Sequence, residues 1–158
     1  MNETNLVHAC TTNNLKEVKR LIEQEHINPS CRYNAAIRLA CCYGFFNIVE
    51  YLLANKHVDP SALENTPIAI AAESGYSDIV ELLLKDPRVD PSDDDNYALI
   101  NAVKEDHLQV VKLLLTDPRV NPFVIKPWHC KSLVMEQLFE EYWYKLDSEK
   151  YNELAKNK

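Results

Sequence analysis

Catalysis needs a nucleophile with a base beside it and a third group to orient that base. The sequence brings few such sets together. Its five cysteines include no C-x-x-C pair, and its histidines (8, 26, 57, 107 and 129) form no H-E-x-x-H or other metal-ligand spacing. Cys130 follows His129, but consecutive residues on a helix point in different directions. Cys41 and Cys42 are also adjacent. The two glycines, Gly44 and Gly75, stand 31 positions apart, so no Gly-rich phosphate loop exists. The run Asp93-Asp94-Asp95-Asn96 is rich in oxygen ligands, yet calcium loops place them at alternate positions around a glycine. It reads as a solvated tip. The expectation is a protein without catalytic activity, metal or cofactor.

These residues sit on a strict repeat. Pro29, Pro60, Pro91 and Pro122 are 31 apart, as are Ala9, Ala40, Ala71 and Ala102, and Val18, Val49, Val80 and Val111. The pairs Leu21-Ile22, Leu52-Leu53, Leu83-Leu84 and Leu114-Leu115 keep the same register. A fixed period of this size marks a solenoid of small stacked units. The units run 1–30, 31–61, 62–92 and 93–123. Cys10 and Cys41 share a column with Ala72 and Val103, a small apolar core position.

Each unit reads as two short helices and an extended excursion. In 62–92, Thr66-Pro67 opens helix one, because proline is tolerated at a first helical position. Ile68, Ala71 and Ala72 form one apolar face. Gly75 ends the helix in a column shared with Asn13, Gly44 and Asp106, residue types that accept a positive φ. Helix two begins near Ser77-Asp78, carries Ile79, Val80, Leu82, Leu83 and Leu84, and stops at Asp86-Pro87. Arg88-Val89-Asp90-Pro91 is extended with its valine inward. The following tip is polar and ends in the column Asn34, Asn65, Asn96, as a tight turn requires.

Thr66-Pro67-Ile68-Ala69-Ile70-Ala71, Gly75, Ile79-Val80-Glu81-Leu82-Leu83-Leu84 and Val89-Asp90 resemble the ankyrin family signature over residues 1–123. The resemblance implies an all-α, ankyrin-type helix-turn-helix solenoid with short β-turn fingers. Three departures stand out. The family's histidine after T-P-L is here Arg38, Ala69 and Ile100, so its turn-bracing hydrogen bonds are expected to be missing. Asp-Pro-Arg replaces Gly-Ala-Asp after helix two, and the period is short. Units with this connector look like those abundant in large DNA viruses and some single-celled eukaryotes, and on that analogy a host-interaction or adaptor role is expected.

The family holds partners in a groove lined by finger tips and the ends of helix one. Transferred residue by residue, that surface comprises Arg32, Tyr33, Glu64, Asp94 and Asp95 at the tips, and Tyr43, Glu73, Ser74, Lys104 and Glu105 at the helix ends. The chain has net charge -7. Residues 62–92 carry six acidic against two basic side chains, and 93–123 six against three. A basic protein partner is therefore expected, and a nucleic-acid phosphate backbone is disfavoured. Tyr33, Tyr43, Phe45 and Tyr76 are either aromatic anchors or, for the last two, braces between units.

Residues 1–30 read as an N-terminal cap with Asn2, Glu3, Lys16, Glu17, Lys19 and Arg20 at its disposal. Residues 124–158 read as a helical C-terminal cap, with Leu133, Val134, Leu138, Tyr142 and Leu146 on one face and residues 152–158 fraying. The alternative is an aromatic docking helix for a partner, bearing Trp128, Trp143 and Tyr144, or a surface that pairs two chains into a homodimer. With no charged-then-apolar leader and no apolar run approaching 18 residues, a cytoplasmic or nuclear protein without membrane spans is expected.

Overall fold

A computed structural model describes residues 2–156, with side chains described for 3–145 apart from Pro127. The expectations for the Asn2 and Leu146 side chains and for residues 157–158 lie outside that range, whereas 152–156, expected to fray, continue the last helix. Eight helices pair in sequence: α1 (Asn2–Thr11) with α2 (Leu15–Glu23), α3 (Cys31–Cys42) with α4 (Phe46–Leu53), α5 (Ala62–Glu73) with α6 (Ser77–Leu84), and α7 (Asp93–Lys104) with α8 (Leu108–Leu114). The odd-numbered helices pack side by side in one layer and the even-numbered in a second. Two 3-10 turns, Pro122–Val124 and Pro127–His129, lead to α9 (Leu133–Lys156). Among the described residues there is no strand. The chain is an all-α helical repeat solenoid.

The repeat columns explain the stacking. Leu6, Ile37, Ile68 and Leu99 are buried in helix one, with Ala9, Ala40, Ala71 and Ala102 one turn further along. The alanines carry only a methyl group, so neighbouring helices approach closely. Val18, Val49, Val80 and Val111, with Leu21, Leu52, Leu83 and Leu114, fill the facing side of helix two. The second members of the apolar pairs, Ile22, Leu53 and Leu84, are only partly buried. All belong to one continuous cluster. Each unit thus buries its apolar face on the next, which is why a single unit would not fold alone.

The link between units is a pair of side-chain turns. Asp86 Oδ1 accepts the Arg88 N–H at 3.0 Å, and four residues on Asp90 Oδ1 accepts the Ser92 N–H at 2.9 Å. Asp117 with Arg119, and Asp59 with Ser61, repeat the two halves. Between them Val58, Val89 and Val120 turn inward and are buried. The Asp-Pro-Arg departure acquires a function here. Arg88 folds back onto Asp86 through Nε and Nη2 (2.9 and 2.5 Å), and its Nη1 donates to the Val58 carbonyl of the preceding connector at 2.8 Å. Arg119 does the same with Asp117 and Val89.

The finger differs from the expected β-turn. Instead of an extended excursion closing in a β-turn, three consecutive residues adopt the left-handed helical conformation: Arg32-Tyr33-Asn34, Leu63-Glu64-Asn65 and Asp94-Asp95-Asn96, with φ between 48° and 66°. Left-handed backbone costs roughly 1–2 kcal/mol per residue for side chains with a Cβ. It is held because the third amide, that of Asn34, Asn65 or Asn96, donates to Ser30, Ser61 or Ser92 four residues back at 2.9–3.0 Å. The shortened period leaves no room for a longer hairpin.

The apolar face of α9 is also rotated from the expected one. Met135 and Phe139 are buried in the common cluster, with Leu138, Tyr142 and Trp143 partly buried against it, whereas Leu133 and Val134 are exposed. Tyr142 Oη donates to the Leu115 carbonyl at 2.7 Å, anchoring the helix beside the end of α8. Trp143 faces inward with Phe139, ring centroids 6.0 Å apart.

Candidate protein-interaction surface

The finger tips are held from behind by the asparagine column. Asn34, Asn65 and Asn96 are buried, and their Oδ1 atoms accept the backbone N–H of Asp59, Asp90 and Asn121 at 2.8, 2.8 and 2.7 Å. Each finger is thereby tied to the start of the next. Asn65 Nδ2 also donates to Asp93 Oδ2 at 2.8 Å, so the first aspartate of the acidic run is structural. Arg38 corrects the expectation that the missing histidine leaves the turn unbraced: its Nε and Nη2 donate to the carbonyls of Tyr33 and Arg32 at 3.1 and 3.3 Å. In the next unit the Thr66 hydroxyl donates to the Leu63 carbonyl. A tip so fixed presents its outward side chains at little further ordering cost.

All ten candidate residues, Arg32, Tyr33, Tyr43, Glu64, Glu73, Ser74, Asp94, Asp95, Lys104 and Glu105, are exposed. Tyr33 is 75% exposed. Among the described residues, the side chains of Glu64, Glu73, Asp94 and Asp95 have no hydrogen bond or ion pair. The framework carboxylates contrast with them. The pKa values of Asp86 and Asp117 are lowered by hydrogen bonds from Arg88 and Arg119, and that of Asp90 by the Ser92 hydroxyl. Glu105 is partly engaged, since Lys131 Nζ lies 3.1 Å from its Oε2. Arg32 is held loosely, by Thr4 Oγ1 at 3.2 Å and Glu3 at 3.9 Å.

At the other end of helix one, aromatic rings serve the turn. Tyr76 lies against Gly44 so closely that a Cβ there would sit 2.7 Å from its ring, and His107 lies against Gly75 in the same way. His107 Nε2 donates to the Glu73 carbonyl at 2.9 Å. Tyr76 is therefore a brace between units. Phe45 is half-buried and stacks with Tyr43, centroids 5.9 Å apart. The turn column keeps its expected conformation, with φ of 54°, 72°, 77° and 62° at Asn13, Gly44, Gly75 and Asp106.

The family model for ankyrin repeats (3 copies) matches residues 1–64 and 40–124. The chain belongs to the ankyrin repeat family. No individually curated protein matches it. Ankyrin repeats are generally protein–protein interaction modules, typically without catalysis, and in that setting the reactive side chains have structural environments. Cys10 and Cys41 are buried, and burial pushes the Cys10 thiol up to about 12 and raises that of Cys41. The Cys130 thiol is raised by burial and by the nearby Glu136 and Asp106, while His129 Nδ1 accepts the Lys126 N–H at 3.2 Å. Among the described residues no three His, Cys, Asp or Glu side chains gather closely enough to hold a metal ion. No helix among them is long and apolar enough to cross a membrane.

Sequence reasoning passed over Leu63, which is 50% exposed at a tip, and Tyr97, exposed just after one. Leu63 was legible by register: it stands 31 residues from both Arg32 and Asp94. An apolar side chain between two charged ones in that column was the signal.

Proposed function

We propose that this ankyrin repeat protein is a non-catalytic interaction module that binds a basic protein partner through its finger tips and helix-one ends. In the family these positions line the concave groove. The reading rests on one observation: the connector carboxylates Asp59, Asp86, Asp90 and Asp117 are engaged, whereas Glu64, Glu73, Asp94 and Asp95 stand exposed and unpaired at the tips and helix-one ends, Glu64 and Asp95 one repeat apart. Unpaired like charges on a rigid surface favour an incoming cation over water and salt. Residues 1–30 and the α9 segment act as the caps of the stack.

The test is affinity capture from lysate with the wild-type chain and with Asp94→Lys/Asp95→Lys, followed by mass spectrometry. Proteins retained by the wild type and lost from the variant, with basic segments among them, are expected. An identical bound set would count against the groove.

A second reading is supported by a separate observation. Trp128 is 79% and Tyr144 80% exposed, and Leu133 and Val134 are exposed as well, so the C-terminal segment carries four solvent-facing apolar side chains that a second chain could cover. The inward-facing Trp143 is not among them. Light scattering of the wild type and of Trp128→Ser/Tyr144→Ser distinguishes this reading: a concentration-independent monomer removes it.

A further inference from the structure

Six of the exposed side chains form two ordered rows. Arg32, Leu63 and Asp94 occupy the first left-handed position of successive tips, and Tyr33, Glu64 and Asp95 the second. Along the stack the first row therefore runs from cation through apolar to anion, and the second from aromatic to anion to anion. All six are exposed, and all project from fingers fixed by the asparagine column. The surface is thus bipolar rather than uniformly acidic. Its cationic end is available, because Arg32 is restrained only by Thr4 and a long contact to Glu3, and exposed pairs of that kind contribute little.

Resting on the groove reading above, we infer that the occupant is a charge-ordered segment, acidic at one end, apolar in its middle and basic at the other. The acidic side chain meets Arg32, the apolar one lies on Leu63 and Tyr33, and the basic ones meet Asp94 and Asp95 with Glu64 alongside. Packed helices lie about 8–10 Å apart, which separates the first and third tips by about 16–20 Å. An extended chain advances about 3.3 Å per residue, so the acidic and basic residues stand about five to six positions apart, with the apolar one midway. A segment basic throughout would place like charge on Arg32 and bind more weakly. Direction along the chain is not set by these rows, because a segment with the reversed sequence running the opposite way places the same charges on the same tips.

The experiment is selection of a phage-displayed random dodecamer library on the full-length chain, on Arg32→Glu and on Asp94→Lys/Asp95→Lys. These are exposed tip positions, and helical circular dichroism confirms that each variant is folded. The wild type should enrich peptides carrying an acidic and a basic residue about five to six positions apart around an apolar one. Arg32→Glu should shift the consensus to basic at both ends, and Asp94→Lys/Asp95→Lys to acidic at both ends. For synthetic peptides read by fluorescence anisotropy, each swap should weaken the wild-type consensus at least tenfold. A uniformly basic wild-type consensus that still responds to Asp94→Lys/Asp95→Lys overturns the charge order while leaving the groove in place. A consensus indifferent to both variants, or no enrichment on the wild type, overturns both.

Discussion

The side-chain oxygen of Asn65 accepts the backbone N–H of Asp90 at 2.8 Å, although the two residues are 25 positions apart. Asn34 with Asp59 and Asn96 with Asn121 repeat the bond at the same separation. The three form a ladder through the base of the fingers. Removing one acceptor leaves a partly buried N–H without its partner, which costs about 1 kcal/mol. Asn65→Ala is therefore expected to lower stability by about that amount in urea denaturation, and also loses the bond to Asp93. Asn65→Asp keeps the oxygen acceptor but places a second carboxylate beside Asp93, and should recover only part of the loss. An Asn65→Ala midpoint equal to wild type would remove the ladder from the account of stability.

A second prediction concerns the turn after helix one. Gly75 has φ 77°, and a Cβ there would lie 2.7 Å from His107 Cε1 and Nδ1. Gly75→Ala faces about 1–2 kcal/mol from the backbone and a steric term from the ring. The steric term should be separable by a double-mutant cycle with His107→Ala. Gly75→Ala is expected to cost less in the His107→Ala background than in the wild type, read from denaturant midpoints. Strict additivity would mean that the ring moves aside freely.

The core was legible in the sequence because its physics is periodic. Ala71, Val80 and Leu83 meet their equivalents 31 residues away, and a column that tolerates only alanine announces a close helix approach. Gly44 and Gly75 announced their positive φ for the same reason. The fingers were less legible. A left-handed run through Leu63 and Glu64 contradicts local propensity, and it is upheld by the Asn65 amide bonding back to Ser61 and by the Asn65 side chain reaching Asp90. Nor could periodicity assign the face of α9, because that helix has left the repeat: Met135 and Phe139 are selected by the surface they cover. The candidate surface residues came from the family's groove positions, and all ten are exposed. What they bind is a property of the partner's charge and shape.

The last prediction is electrostatic. Hydrogen bonds from Arg88 and Arg119 lower the pKa values of Asp86 and Asp117 below the ordinary 3.8. A carboxylate depressed in the folded state contributes stability that is present above its unfolded value and lost as pH falls through the folded one. Asp86→Asn/Asp117→Asn preserves the oxygen that accepts the Arg88 and Arg119 N–H groups but removes the charge. Since both arginines are partly solvated, the loss at pH 7 should be modest, about 0.5–1 kcal/mol per site. Measured by urea denaturation between pH 7 and pH 2.5, the gap between variant and wild type should hold down to about pH 4 and then narrow as the wild-type carboxylates protonate. Added salt at pH 7 should narrow it as well. A gap unchanged at pH 2.5 would show that the arginines hold these connectors through geometry alone.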